Sequence, residues 1–176
     1  IKKFKKIDGL INNAGISISK SSEKYEEKDW NETINTNLSS VFYLSQIVAK
    51  TMIKNKSGGS IINVTSLAAS FGMPNNPAYV ASKGGLRYLT KAMAVDWGVY
   101  NIRVNNLCPG YIKSQMTKKS FNNLTTRKMR SDRTILNRWG NSNDLIGAAI
   151  FLISDASNYI TGIDLEIDGG WSAKGL

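Results

Sequence analysis

The sequence contains no histidine and a single cysteine, Cys108. Without histidine it cannot build a Ser-His-Asp triad, a cysteine–histidine pair or a histidine-rich metal site, so no metal ligands are expected. A lone cysteine forms no intrachain disulfide, which fits a reducing compartment and points to the cytoplasm. Cys108 itself reads as a small buried hydrophobe. No apolar run reaches the length of a membrane span. No signal-peptide hydrophobic segment or small-residue cleavage site follows the basic residues at the start. A membrane partner is therefore not expected. Acidic residues are also scarce, 13 against 23 Lys and Arg, which gives a net charge of +10. That excess raises the question of nucleic acid. The charges are scattered, however, with one denser stretch from Lys113 to Arg138. There is no zinc-finger spacing, basic zipper or RNA-recognition aromatic motif, so the lysines read as solvated surface and no nucleic-acid partner is expected.

What is present suits one domain, residues 1–176, with an ordinary 41% hydrophobic content. Apolar runs alternate with helical segments, the pattern of an α/β fold with a parallel sheet. Strands are predicted at Asp8–Gly15, Ser60–Thr65, Asn101–Leu107 and Gly162–Ile167. Helices are predicted from Asp29 to about Ile53, from Ala78 to Trp97, and from Leu145 to about Ile153, the last capped by Asn143-Asp144. Residues 112–140 are polar, basic and irregular, with room for one or two short helices.

Tyr79 and Lys83 stand four apart in a predicted helix, so both side chains project from one face. A tyrosine with its ordinary pKa near ~10 is a poor base at neutral pH, and a neighbouring ammonium favours its phenolate. The pair is therefore a sensible general acid/base. Ser66 follows a strand, at the edge where parallel sheets bind ligands. A hydroxyl there can donate to a carbonyl oxygen as charge develops on it. Each feature taken alone is common on helices and loops.

Together, and in order, they resemble the short-chain dehydrogenase/reductase family. The stretch Gly59-Ser-Ile-Ile-Asn-Val-Thr-Ser66 followed by Tyr79-Val-Ala-Ser-Lys83 is similar to that family's core. So are Asn12-Asn-Ala-Gly15, Asn35-Thr-Asn-Leu38, Arg103-Val-Asn-Asn-Leu-Cys-Pro-Gly110, Ile160-Thr-Gly162 and Asp168-Gly-Gly170. The resemblance implies a Rossmann-like doubly wound parallel sheet and hydride transfer between NAD or NADP and a carbonyl or secondary alcohol. It makes Tyr79 the acid/base, with Lys83 lowering its pKa and bonding the nicotinamide ribose. Ser66 would hold the substrate oxygen, and Asn37 would position a water that links Lys83 to solvent. Asn13, Ala14 and Gly15 would lie along the adenosine side of the cofactor. Pro109 and Gly110 would wall the nicotinamide, Ile112 would offer its backbone to the carboxamide, and Ser114 would stand near the cofactor.

The family's opening strand, glycine-rich turn and helix, which meet the pyrophosphate, do not appear before Asp8. The chain also opens on Ile1 rather than Met. It therefore reads as the C-terminal part of a longer enzyme, with the first three strand–helix units missing. The choice between NAD and NADP goes with them, and the edge of the first strand is expected to be unpaired. The segment Lys113–Arg138 corresponds to the substrate-covering region, as a solvated lid or as a binder of an anionic substrate. The tail Asp168–Leu176 and Asp144–Leu152 look most like gluconate and deoxygluconate dehydrogenases, with 3-oxoacyl-carrier-protein reductases as the alternative. Family members are commonly tetramers joined through the two long helices and the C-terminal strand, so a homotetramer or homodimer is expected of the full-length protein. A non-catalytic truncated relative that binds a partner is a further alternative. Without a phosphate loop before Asp8, this chain by itself is expected to bind cofactor weakly and to be inactive. Calorimetric titration with NAD and NADP is expected to show no binding in the micromolar range; clear micromolar binding would contradict this.

Overall fold

In the computed structural model, residues 6–174 are described. Four parallel strands form one sheet: β1 (Gly9–Asn12), β2 (Gly59–Val64), β3 (Ile102–Pro109) and β4 (Asp164–Ile167), in the order β1-β2-β3-β4. Each lies within the span predicted for it or overlaps it closely. Helices cover both faces, because successive side chains of a strand point to opposite sides. Ile61 packs with Val48, Met52, Met93 and Ala94, which come from α2 (Ser40–Asn55) and α3 (Pro77–Gly98). Its neighbour Ile62 packs with Leu107 and Leu152 on the other face, against α6 (Asn143–Ile153). This is the doubly wound parallel arrangement expected from the sequence.

Two elements differ from expectation. The single helix predicted over 29–53 is divided into α1 (Glu27–Ile34) and α2 by a π-helical turn at Asn35–Ser39. Such a turn widens the coil by one residue and tends to mark functional positions. The predicted cap of α6 is displaced: Ser142 holds the cap position, and the Asp144 carboxylate accepts from the Asn141 amide at 2.7 Å. The irregular stretch contains α4 (Lys118–Asn122) and α5 (Leu124–Arg133), as anticipated. Among the described residues β1 pairs only with β2, and Ile11 on it is 46% exposed.

The face that receives α2 and α3 is not wholly apolar. Asn12, Asn63, Asn106 and Asp164 are register partners, one on each strand, and form a polar row across the sheet. Asn12 donates to Asn63 at 2.8 Å and to Ser45 of α2 at 2.9 Å. Asn63 donates to Thr90 of α3, and Thr90 to Asn106, at 2.8 and 2.7 Å. Asn106 donates to Asp164 at 2.7 Å, and Asp164 accepts from Arg87 of α3 at 2.6 Å. Arg87 also donates to Ser70, in the loop beyond β2, at 2.8 Å. Buried polar groups are costly unless each finds a partner, so this row fixes how the two helices sit on the sheet. Asn63→Leu, which strands Thr90 and Asn12, is expected to lower unfolding free energy by about 2–4 kcal/mol in urea titrations. A change within experimental error would mean the row is not structural.

Candidate active site

Ser66 leaves β2 at the C-terminal edge of the sheet and caps a short 3-10 turn, Leu67–Ala69. Its Oγ accepts from the Ala68 amide at 3.1 Å, so the hydroxyl hydrogen remains available to be donated. Pro77 opens α3 from its first turn, where a missing N–H costs nothing, and places Tyr79 beside Ser66. Burial pushes the Tyr79 phenol above its ordinary pKa, while hydrogen bonding with the Ser66 side chain opposes the shift. One turn further, Lys83 is 4% exposed. Its Nζ donates to the Val64 carbonyl at 2.8 Å and lies 5.8 Å from the centre of the Tyr79 ring. Burial lowers the Lys83 pKa to about 8, against a weaker upward pull from Cys108.

The structure thus brings Ser66, Tyr79 and Lys83 together but reverses one expectation. The ammonium was expected to lower the Tyr79 pKa, whereas the phenol is raised. The physical reason is desolvation: the ring is buried, and the Lys83 ammonium is turned onto the Val64 carbonyl. Cys108 is buried as expected, with its thiol pushed up to about 11 by burial.

Asn37 sits fully buried in the π-helical turn. Its Oδ1 accepts from the Ile16 amide at 2.8 Å, and its Nδ2 donates to the Ile16 carbonyl at 2.9 Å and to Ser82 at 3.2 Å. Ser82 in turn donates to the Tyr79 carbonyl at 2.8 Å. Asn37 therefore ties the loop after β1 to the first turns of α3. Gly15 lies in that loop, where an added Cβ would come 3.3 Å from Asn37 Oδ1 and 3.6 Å from Lys83 Nζ. A side chain there would fill the space in front of the ammonium.

The remaining candidates line the same edge. Asn13 and Ala14 are exposed at the end of β1, and Pro109 and Gly110 are half-buried at the end of β3. A Cβ on Gly110 would meet the Asp168 backbone at 2.7 Å, so only glycine lets the tail pack there. Ile112 bridges to Gly140, and its carbonyl accepts from Thr117 at 2.6 Å. Ser114 is exposed, and its amide donates to Thr117 at 2.9 Å. The open shelf at Asn13–Gly15, the cleared space before Lys83 and the β3 wall leave room along this edge for a dinucleotide, with Asn13–Gly15 on the side expected to meet its adenosine. No glycine-rich strand–turn–helix unit for its pyrophosphate lies among the described residues.

Residues 1–172 match the family model described as "Enoyl-(Acyl carrier protein) reductase", one of the short-chain dehydrogenase models. The chain belongs to the short-chain dehydrogenase/reductase family. A relative is the 2-dehydro-3-deoxy-D-gluconate 5-dehydrogenase of Dickeya dadantii, 39% identical over 99% of this chain and 69% of that protein. Among solved structures, a gluconate 5-dehydrogenase from Burkholderia cenocepacia in complex with NADP and tartrate superposes with a TM-score of 0.94. It is 38% identical, over 97% of this chain and 66% of its own. A 4-hydroxyisoleucine dehydrogenase mutant complexed with NADH and succinate gives a TM-score of 0.95 at 36% identity, over 99% of this chain and 72% of its own. This short-chain dehydrogenase/reductase chain thus spans about two thirds of the length of such relatives.

Two groups of residues around the site were not anticipated. One is the buried polar row beneath α3. The other is a set of aromatic rings, Phe71, Tyr111, Phe121, Trp139 and Trp171, on which lid cations stack. The lowered Lys83 pKa has a consequence for stability. The unfolded chain holds that proton up to its ordinary 10.5, the folded chain only to about 8. Folding therefore bears the full penalty of a buried ammonium below pH 8, about 3 kcal/mol, and is relieved of it as pH rises towards 10.5. Wild-type stability is expected to rise relative to Lys83→Met over that window, measured by urea unfolding at both ends. A constant difference would contradict a depressed Lys83 pKa.

Proposed function

We propose that this chain supplies the carbonyl-holding and proton-transfer groups of an NAD(P)-dependent oxidoreductase that interconverts a ketone and a secondary alcohol on a sugar acid. The observation that carries the reading is the convergence of the Ser66 hydroxyl, the buried Tyr79 phenol and the buried Lys83 ammonium at one edge of the sheet. The nicotinamide, when bound, supplies or accepts the hydride. In the reducing direction Ser66 Oγ donates to the substrate oxygen as negative charge grows on it. The Tyr79 hydroxyl gives its proton to that oxygen, and its raised pKa keeps the proton in place until then. Lys83, charged below about pH 8, stabilises the phenolate left behind. Asn37 holds the Ile16 loop and Ser82, and through them the start of α3.

Tyr79, Lys83, Pro109, Gly110, Ile112 and Ser114 would hold the nicotinamide and ribose end of the cofactor, with Asn13, Ala14 and Gly15 along its adenosine side. The sugar-acid substrate is supported by the gluconate-type relatives and by the cationic lid, which also suits an anion. Exposed apolar side chains on α2 (Tyr43, Leu44, Ile47) and α3 (Tyr88, Val95) support a homodimer or homotetramer built through these helices. The buried, unpaired Cys108 supports a cytoplasmic setting; no helix among the described residues is long and apolar enough to cross a membrane.

In the full-length enzyme, Tyr79→Phe is expected to lower kcat on a sugar acid by about 10³-fold, and Ser66→Ala by about 10². A loss of less than about tenfold for Tyr79→Phe would remove it as the proton donor. Activity confined to acyl thioesters in a substrate panel would remove the sugar-acid reading.

A further inference from the structure

The lid helix α5 carries Arg130 and Arg133, three apart and therefore on one face. The Arg130 guanidinium lies 4.2 Å over the Tyr111 ring and 5.6 Å from that of Trp139, and Arg133 lies 4.2 Å over the ring of Trp171. The rings form a connected platform. Trp171 meets Phe71 with centroids 5.5 Å apart and Tyr111 at 5.8 Å. Phe71 belongs to the loop that Ser66 opens, where its amide donates to the Leu67 carbonyl at 3.2 Å. Tyr111 directly follows Pro109 and Gly110. Trp171 therefore bridges the two segments that flank the reacting centre, and the two arginines sit beside it.

Arg127 also stacks, 5.2 Å over the Phe121 ring, while two other cations nearby are held by acids. Lys128 is paired with Asp132 and Arg138 with Asp144, each at 2.7 Å. Among the described residues Arg130 and Arg133 have no carboxylate partner. The acids of the nearby tail are engaged elsewhere: Asp168 accepts from the Gly170 and Ser172 amides, both at 2.8 Å, and from the Ser172 hydroxyl at 2.5 Å. Stacking occupies the face of a guanidinium and leaves its in-plane N–H fork free, the geometry that grips a carboxylate with two parallel hydrogen bonds. A further donor points the same way. The Trp171 indole Nε1 is buried and has no acceptor, an arrangement that native proteins rarely tolerate without a ligand or water to complete it. The parts also hold together: the Leu136 amide donates to Gly169 at 3.1 Å, and Lys174 donates to the Asp132 carbonyl at 2.5 Å. The end of α5 and the turn bearing Trp171 are thus one tethered unit.

We propose that Arg130, Arg133 and the Trp171 indole N–H form a receptor for the carboxylate of the substrate, holding that end of a sugar acid while its carbonyl or alcohol carbon lies at Ser66 and Tyr79. The receptor rests on the oxidoreductase reading above and assigns its substrate's acid group to named residues. It selects for a small planar anion over a neutral polyol.

The test uses the full-length enzyme, with gluconate and the uncharged polyol sorbitol as probes. Arg133→Gln is expected to reduce the ratio of kcat/KM for gluconate to that for sorbitol by about tenfold or more, mainly through KM for gluconate. In ¹⁵N-indole spectra, gluconate and not sorbitol is expected to move one of the tryptophan signals, the one missing from Trp171→Phe. An unchanged ratio in Arg133→Gln, or an equal loss on both probes, overturns the receptor while leaving the oxidoreductase reading intact. If wild-type enzyme oxidises no sugar acid, that reading fails and the indole spectrum alone decides: a gluconate-specific shift at Trp171 supports the receptor, and its absence overturns it.

Discussion

Asn12, Asn63, Asn106 and Asp164 place a hydrogen-bonding group on every strand in the same row, beneath helices that would otherwise meet an apolar sheet. Each group is satisfied only if Ser45, Thr90 and Arg87 arrive at the right height and rotation. Apolar packing alone tolerates sliding by a fraction of a turn; a buried hydrogen-bonded chain does not, because a displaced partner leaves both groups dry and unpaired. Thr90 is two turns along α3 from Lys83, and Tyr79 is one turn further. Fixing Thr90 therefore fixes the face of the helix that carries Lys83 and Tyr79. At its far end the chain reaches Ser70 through Arg87, so the loop opened by Ser66 is held by the same network.

The electrostatics of the site follow from that seating. A helix held tightly on the sheet buries the first turns of α3, and burial opposes charge on either partner. Tyr79 rises and Lys83 falls, which keeps the phenol protonated at neutral pH beside an ammonium that gives up its proton more readily than an ordinary lysine. Asn37 contributes by position: its wide helical turn lets the amide reach back to both main-chain groups of Ile16 while still touching Ser82. The loop that would face the cofactor and the helix that would move the proton are thus anchored to one buried side chain.

Much of this was legible in the sequence. Strand–helix alternation pointed to the parallel sheet, while Tyr79, Lys83 and Ser66, ordinary one by one, stood out only through the ordered set of motifs that resembles the family. The polar row was not legible, because an asparagine within a short strand looks like an interruption of the apolar pattern until the register aligns it with three others. The π-helical turn escaped notice because Asn35–Ser39 carries no residue that forbids an ordinary helix. The direction of the Tyr79 shift is not legible either, since sequence reveals a neighbouring charge but not the depth at which both groups lie. The lid arginines were visible as charge, while the rings beneath them come from segments far apart in the chain.

The dependence of the site on the polar row is tested most directly by an NMR titration of the Lys83 ammonium, carried out on the wild-type chain and on Thr90→Val. The wild-type midpoint is expected at about 8, and the variant, with α3 loosened and water admitted, is expected to move upward towards the ordinary lysine value. The same midpoint in both proteins would contradict the claim that the buried row seats the face of the helix that carries Lys83 and Tyr79.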